Sequence, residues 1–377
     1  MKNGIVFCVS LLIGLLIVEV GLRLFDPLNF QPHASRDMAN VSLVNGEHHF
    51  CNGGPGQLGP HPVVFSRDTP NQSYFEFRND IVTFMEINEY GFRGEIGAND
   101  AQNQVLVLGD SFIRGTLADE TETIPALLSQ WSQDSHFVNL GTGGHGTLQH
   151  ALTYEEFSEN IPHEAVLLFV FSGNDLVDNL RFRDWQHDPD SQDLHEPTAI
   201  DSLKQMVARL YVGRLLQLLY AGLSGQNSLP SVPTEEEAEL FSQSLAELSQ
   251  AATDQGAQLF VFSLPDFSEF VGTETVTFRE DPVGYGDATR ALIRQAAQEN
   301  GFTYLELKNV LTEQAREMDV PITALFGSPD HHLREIGNFA VAEAVAGLLE
   351  DEGVTVFDLD NQLIDRTHFE PSNVACP

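Results

Sequence analysis

The sequence predicts an α/β protein, a three-layer α/β/α domain on a doubly wound parallel sheet of about five strands. Three observations predict it. Short, almost wholly apolar runs recur at QVLVLG (104–109), HFVNL (136–140), AVLLFVF (165–171), QLFVFSL (258–264) and FTYLEL (302–307). Runs this short and this apolar suit strands covered on both faces. Between or after them lie stretches with helical spacing: TIPALLSQWSQ, LQHALTYEEFSEN, TEEEAELFSQSLAELSQAATDQG, DATRALIRQAAQEN and REIGNFAVAEAVAGLLE. Strands alternating with helices in this way imply crossovers and hence a parallel sheet.

The domain spans 104–350, and three further segments flank it. Residues 1–25 read as a transmembrane signal-anchor helix. Gly4 to Val18 carries no charge, and the apolar stretch to Leu24 is close to the roughly 20 residues a spanning helix needs. No small-x-small cleavage site follows it, so the anchor is expected to stay attached. A buried core helix is the alternative. Residues 26–103 form an irregular, β-containing extension. HHFCNGGPGQLGPHP (48–62) reads as loop, and YFEFRNDIVTFMEIN (74–88) reads as alternating strand that ends in a turn at EYGFRG. An insertion at about 181–233 holds an apolar-rich helix (202–223) and a Ser/Pro linker; it either lines a cleft or elaborates the packing. Residues 351–377 are a C-terminal tail.

Charge narrows the partners. The chain has 377 residues, 55 acidic and 19 basic, for a net charge of −36. A phosphate backbone requires a basic face, so nucleic acid is excluded as a partner, and anionic headgroups are disfavoured on the same ground. Only Lys2, Lys204 and Lys308 are lysines; the other basic residues are arginines. Dispersed acidity with scarce lysine suits a surface adapted to high salt, where screening relieves self-repulsion. Of three cysteines, Cys8 lies in the apolar run, while Cys51 and Cys376 either pair or remain separate thiols. No cysteine–histidine spacing suggests zinc, and no cofactor is expected.

In an open parallel sheet, ligands bind beyond the carboxyl ends of the strands. The first strand is followed by Gly109-Asp110-Ser111, and the second by Asn139-Leu140-Gly141-Thr142-Gly143-Gly144-His145-Gly146. Ser172-Gly173-Asn174-Asp175 follows the third, and Ser328-Pro329-Asp330-His331-His332-Leu333 precedes the last helix. Acyl transfer needs these types of residue. Ser111 would be the nucleophile and His332 its base. Asp330 would fix the imidazole tautomer. The backbone N–H groups of Ser111 and Gly144 and the Asn174 amide would form the oxyanion hole. His331 competes with His332 as the base, and Gly141 and Gly143 compete with Gly144. His145 either lines the cleft or lies on the surface. The glycines at 141–146 also fit G-x-G-x-x-G, but they follow the second strand rather than the first, which argues against a dinucleotide site.

This set, in this order, resembles the SGNH (GDSL-type) hydrolase family. The resemblance spans roughly Ile87 to Leu349, and INEYGFRG (87–94) resembles the lead-in of membrane-anchored or secreted members. Each block alone recurs by chance; four in order, each at a strand end, carry the likeness. One departure stands out: many members place Asp three residues before His, whereas here position 329 is Pro and Asp330 lies two before His332. The spacing from His332 to Gly337 and the alignment of NLGTGGHG favour His332 and Gly144. The resemblance implies a serine ester hydrolase acting on acyl or O-acetyl esters of lipids or carbohydrates. Its alternatives are an O-acyltransferase on envelope polysaccharide and a non-catalytic glycan- or partner-binding protein. With the anchor, it also implies a single-pass membrane protein whose body is extracytoplasmic (periplasmic or extracellular).

Overall fold

In the computed structural model the described residues are 14–24, 37–44, 47–52, 58–78, 81–96, 103–188, 212, 232–271, 282–327 and 331–358. The chain divides into two compact units, residues 1–35 with 189–229 and residues 36–188 with 230–377. In the first unit, residues 14–24 are helical. Most of their apolar side chains are exposed, among them Leu16, Ile17 and Leu24 at 64%, 66% and 76%. Glu19 pairs with Arg23 at 2.6 Å and accepts from the Val212 backbone N–H at 2.9 Å. The first half of the expected membrane span, residues 1–13, lies outside the described residues. Among those described, no helix is long and apolar enough to cross a membrane.

The second unit begins with six short strands: β1 (Asp37–Val44), β2 (Glu47–Asn52), β3 (Leu58–His61), β4 (Phe65–Asp68), β5 (Ser73–Arg78) and β6 (Ile81–Glu86). Four of them form an antiparallel sheet in the order β2-β1-β5-β6, and β3 pairs with β4 as a hairpin. This corrects the reading of 48–62 as loop. Its glycines and prolines spoil the local strand signal, but β1 supplies β2 with a partner and β4 supplies one for β3. Pairing overrides propensity in such sheets. The turn after β6 is built on Asn88, whose Oδ1 accepts from the N–H groups of Tyr90 and Phe92. Gly91 at φ +84° passes so close to the Asp68 carbonyl that a Cβ would stand 2.5 Å from it.

The five apolar runs become β7 (Asn103–Leu108), β8 (Ser135–Asn139), β9 (Ala165–Phe171), β10 (Gln258–Leu264) and β11 (Thr303–Glu306). All pair in parallel, in the order β11-β10-β9-β7-β8. Strand order reverses between β7 and β9, the switch point of a flavodoxin-like sheet. The helices are α1 (Ser111–Arg114), α2 (Ile124–Trp131), α3 (Thr147–Ser158), α4 (Asp175–His187), α5 (Glu235–Asp254), α6 (Ser268–Val271), α7 (Pro282–Asn300), α8 (Leu307–Glu317) and α9 (Glu335–Asp351).

Alternate strand residues feed two cores. Val105, Val107, Leu167 and Phe169 pack with α2, α8 and α9 on one face. Leu106, Leu108, Val166 and Leu168 pack with α3, α5 and α7 on the other. This is the three-layer arrangement that the apolar runs imply. α4 runs on to His187, into the stretch read as insertion, and α8 adds a helix between β11 and α9 that the run of apolar segments does not announce. Residues just beyond 350 also belong to the core rather than to a free tail. Val354 and Phe357 belong to the core cluster that includes α2 and α9, Phe357 meets the Phe137 ring at 6.0 Å, and the Asp358 N–H donates to the Trp131 carbonyl at 2.8 Å. Cys376 and the Cys51 side chain lie outside the described residues.

Candidate active site

Ser111 opens α1 at the end of β7. Gly109 makes the tight exit, where a Cβ would stand 2.4 Å from Ile113 Cγ1. Asp110 caps the turn, its Oδ1 accepting from the Phe112 N–H at 3.0 Å. Gly115, left-handed at φ +78°, ends the helix after four residues. The Ser111 hydroxyl is thereby held at the carboxyl end of the sheet, beside the switch point. His332 reaches it from the loop before α9, with Nε2 2.7 Å from Ser111 Oγ.

Backbone bonds pin the histidine loop. The Gly327 N–H donates to the His332 carbonyl at 2.8 Å, the His331 N–H to Gly327 at 2.7 Å, and the Arg334 N–H to Leu325 at 2.9 Å. His331 sits at φ +67°, a conformation a non-glycine residue adopts only under constraint. The adjacent rings turn to different neighbours. His331 stacks on Phe267 with centroids 4.3 Å apart, while His332 lies 4.8 Å from the Phe112 ring. Asp330 lies outside the described residues, as do Ser328 and Pro329.

The glycine turn follows β8. Asn139 ties it to α1, its Oδ1 accepting from the Gly141 N–H at 2.9 Å and its amide donating to the Ile113 carbonyl at 3.0 Å. A Cβ on Gly141 would fall 2.4 Å from the Arg114 nitrogen, so this glycine is required by close approach. Gly143 faces Ser111, with 3.7 Å from its ideal Cβ to Ser111 Cβ. Gly144 is exposed at φ +76°, in open space. The Gly141 N–H is thus already committed to Asn139. His145 is neither a cleft nor a surface residue. It is buried, and its Nε2 donates to the Ser66 carbonyl at 2.7 Å. Burial pushes its pKa down to about 3, so the ring is neutral.

Asn174 precedes α4, and its amide donates to Asp178 Oδ2 at 2.6 Å. Asp178 also accepts from Arg181 at 2.7 Å. Burial raises the Asp178 pKa to about 6, against the pull of Arg181. Burial likewise raises Asp110 and Asp175, and Asp175 is raised further by Asp110 and Asp178. Asp175 Oδ2 accepts from the Phe171 N–H at 2.9 Å. Sequence reasoning missed Asp178, although its signal is present: an acid one helical turn after the asparagine. Among the described residues, no group of three His, Cys, Asp or Glu is placed to hold a metal ion.

No family model and no curated protein matches the chain. Solved structures do. An acetyl xylan esterase shares 15% identity at TM-score 0.41, over 65% of this chain and 99% of that one. TesA shares 13% at 0.40, over 66% and 99%. A member of the lipolytic protein G-D-S-L family from Veillonella parvula DSM 2008 shares 10% at 0.38, over 66% and 98%.

Proposed function

We propose that this protein is a serine ester hydrolase of the SGNH (GDSL-type) kind. The observation that carries the reading is the 2.7 Å approach of His332 Nε2 to Ser111 Oγ, at the switch point of the sheet. His332 takes the hydroxyl proton as Ser111 Oγ bonds to the ester carbonyl carbon. The oxyanion is held by the N–H groups of Ser111 and Gly144 and by the Asn174 amide hydrogen that Asp178 leaves over. Collapse expels the alcohol, which receives the proton from His332, and leaves an acyl-Ser111. Water, deprotonated by His332, then releases the carboxylic acid and restores the serine. Asp330 orients the imidazole in this scheme. The substrates are acyl or O-acetyl esters of lipids or carbohydrates. In this reading the exposed apolar side chains of helix 14–24 meet a membrane, and the body is extracytoplasmic.

A fluorophosphonate probe tests the reading. The wild type is expected to take the label, and Ser111→Ala to take none; an unlabelled wild type in high-salt buffer overturns it. Turnover of short-chain p-nitrophenyl esters against acetylated sugars then separates general esterase from sugar deacetylase.

A further inference from the structure

We infer that the antiparallel extension is a working part of the site, and that Arg93 and Arg114 are positioning residues that hold the nucleophile's turn from behind. The inference rests on the hydrolase reading, because Ser111 must react for its position to matter. α1 is a single turn, far short of the roughly 12–15 residues an isolated helix needs in water. Its placement must come from outside, and two buried guanidiniums supply it.

Arg93, from the turn after β6, works on the end of α1. Its Nη1 donates to the Gly115 carbonyl at 2.6 Å and its Nη2 to the Phe84 carbonyl at 2.9 Å, while its Nε pairs with Glu120 at 2.8 Å. A helix end leaves its last carbonyls without internal partners, and here Arg93 Nη1 also reaches the last carbonyl of α1, that of Arg114, at 3.4 Å.

Arg114 runs the other way, from the nucleophile's own helix into the extension. Its Nε and Nη2 fork onto Asp68 at 2.6 and 3.0 Å, and its Nη1 reaches Glu76 at 3.1 Å. Nη2 also donates to the Tyr74 hydroxyl, which itself donates to Asp68 at 3.0 Å. All four side chains are buried. Burial opposes the Arg114 charge, but Asp68, Tyr74 and Glu76 more than reverse that, and the guanidinium stays ionised. A forked arginine–carboxylate pair fixes direction as well as distance. Buried pairs of this kind are weak evidence for stability, so geometry is the better account of why the cluster is there. The same hairpin supports the glycine turn, because the Ser66 carbonyl on β4 receives the His145 Nε2–H next to Gly144. The extension therefore touches both the nucleophile's helix and the oxyanion turn.

Three variants test this. Tyr74→Phe removes one hydroxyl and leaves every charge in the cluster paired. Arg93→Lys keeps the charge but loses the fork. Arg114→Lys is the severe case, and the first two decide the question if it does not fold. Fluorophosphonate labelling rate and kcat on a short-chain p-nitrophenyl ester are expected to fall together. The expected losses are about tenfold for Tyr74→Phe and Arg93→Lys and about a hundredfold for Arg114→Lys, the scale of an ångström's misplacement. KM should move less than about twofold, because the lost interactions position Ser111 and are not contacts to substrate. Variants that melt earlier yet label at the wild-type rate overturn the inference and leave the hydrolase reading standing. An unlabelled wild type overturns both.

Discussion

The two sides of the site are held by different forces. On the nucleophile side, one turn of helix is fixed by buried charges and side-chain hydrogen bonds from Arg93, Arg114 and Asn139. On the base side, among the described residues, the loop that carries His332 is held by backbone hydrogen bonds around Gly327 and by ring contacts of His331 with Phe267 and of His332 with Phe112. Charges give direction at a cost in desolvation, and backbone bonds give position with little dependence on side-chain identity. The nucleophile side should therefore be the more sensitive to conservative substitution, and the base side the more sensitive to changes in its backbone.

The largest effect that sharpens this contrast lies at the oxyanion. Asn174→Ala should lower kcat by about 10²–10³, with KM little changed, since a lost oxyanion donor has that scale. A loss below about threefold would remove Asn174 from the hole. Next comes pH. The ionised Asp178 carboxylate accepts the Asn174 amide, so activity should fall as pH drops through about 6. Stability should move the other way. A carboxyl whose folded pKa is raised binds more protons folded than unfolded, so its contribution is present below the unfolded value near 3.8 and lost as pH rises through about 6. Asp110 and Asp175 act in the same direction. Melting temperature should thus rise on mild acidification while kcat falls, and Asp178→Asn should flatten part of both slopes; parallel slopes in variant and wild type would show that Asp178 plays no part.

Salt gives the smallest effect on the contrast. The acidic surface should make melting temperature rise with KCl toward the molar range, whereas buried pairs are screened far less than exposed ones. The rate ratio of Tyr74→Phe to wild type should therefore stay constant while both proteins become more stable. If stability peaks in dilute buffer, the salt-adapted surface is ruled out.

The central sheet was legible because each strand carries its burial in its own residues: AVLLFVF needs no knowledge of its neighbours to be read. The positions of Ser111, the glycine turn and Asn174 just after β7, β8 and β9 were legible for the same reason, whereas the His332 block follows α8 rather than a strand. The paired strands β2 and β3 were not, because HHFCN and LGPH become strands only against partners elsewhere in the extension. The arginine cluster was hidden more deeply. Arg114 meets Asp68 and Glu76 across 46 and 38 residues, and nothing in the local pattern around GDSFIR tells a buried arginine from a solvated one. His145 was ambiguous on the same ground, its partner Ser66 lying 79 residues away.

The acids around Arg114 also bear on how this protein can be cut. A fragment beginning at residue 104, where the sheet pattern starts, would leave behind Asp68, Tyr74 and Glu76 and carry away a guanidinium with no counter-charge. Stranding one partner of a buried pair costs about 3–5 kcal/mol, against a typical total stability of about 5–15 kcal/mol. The smallest piece expected to fold and react therefore includes β4 and β5. Any rearrangement that moves the Ser111 block into another protein has to carry β4 and β5 with it, so that block and the extension form one inheritable unit.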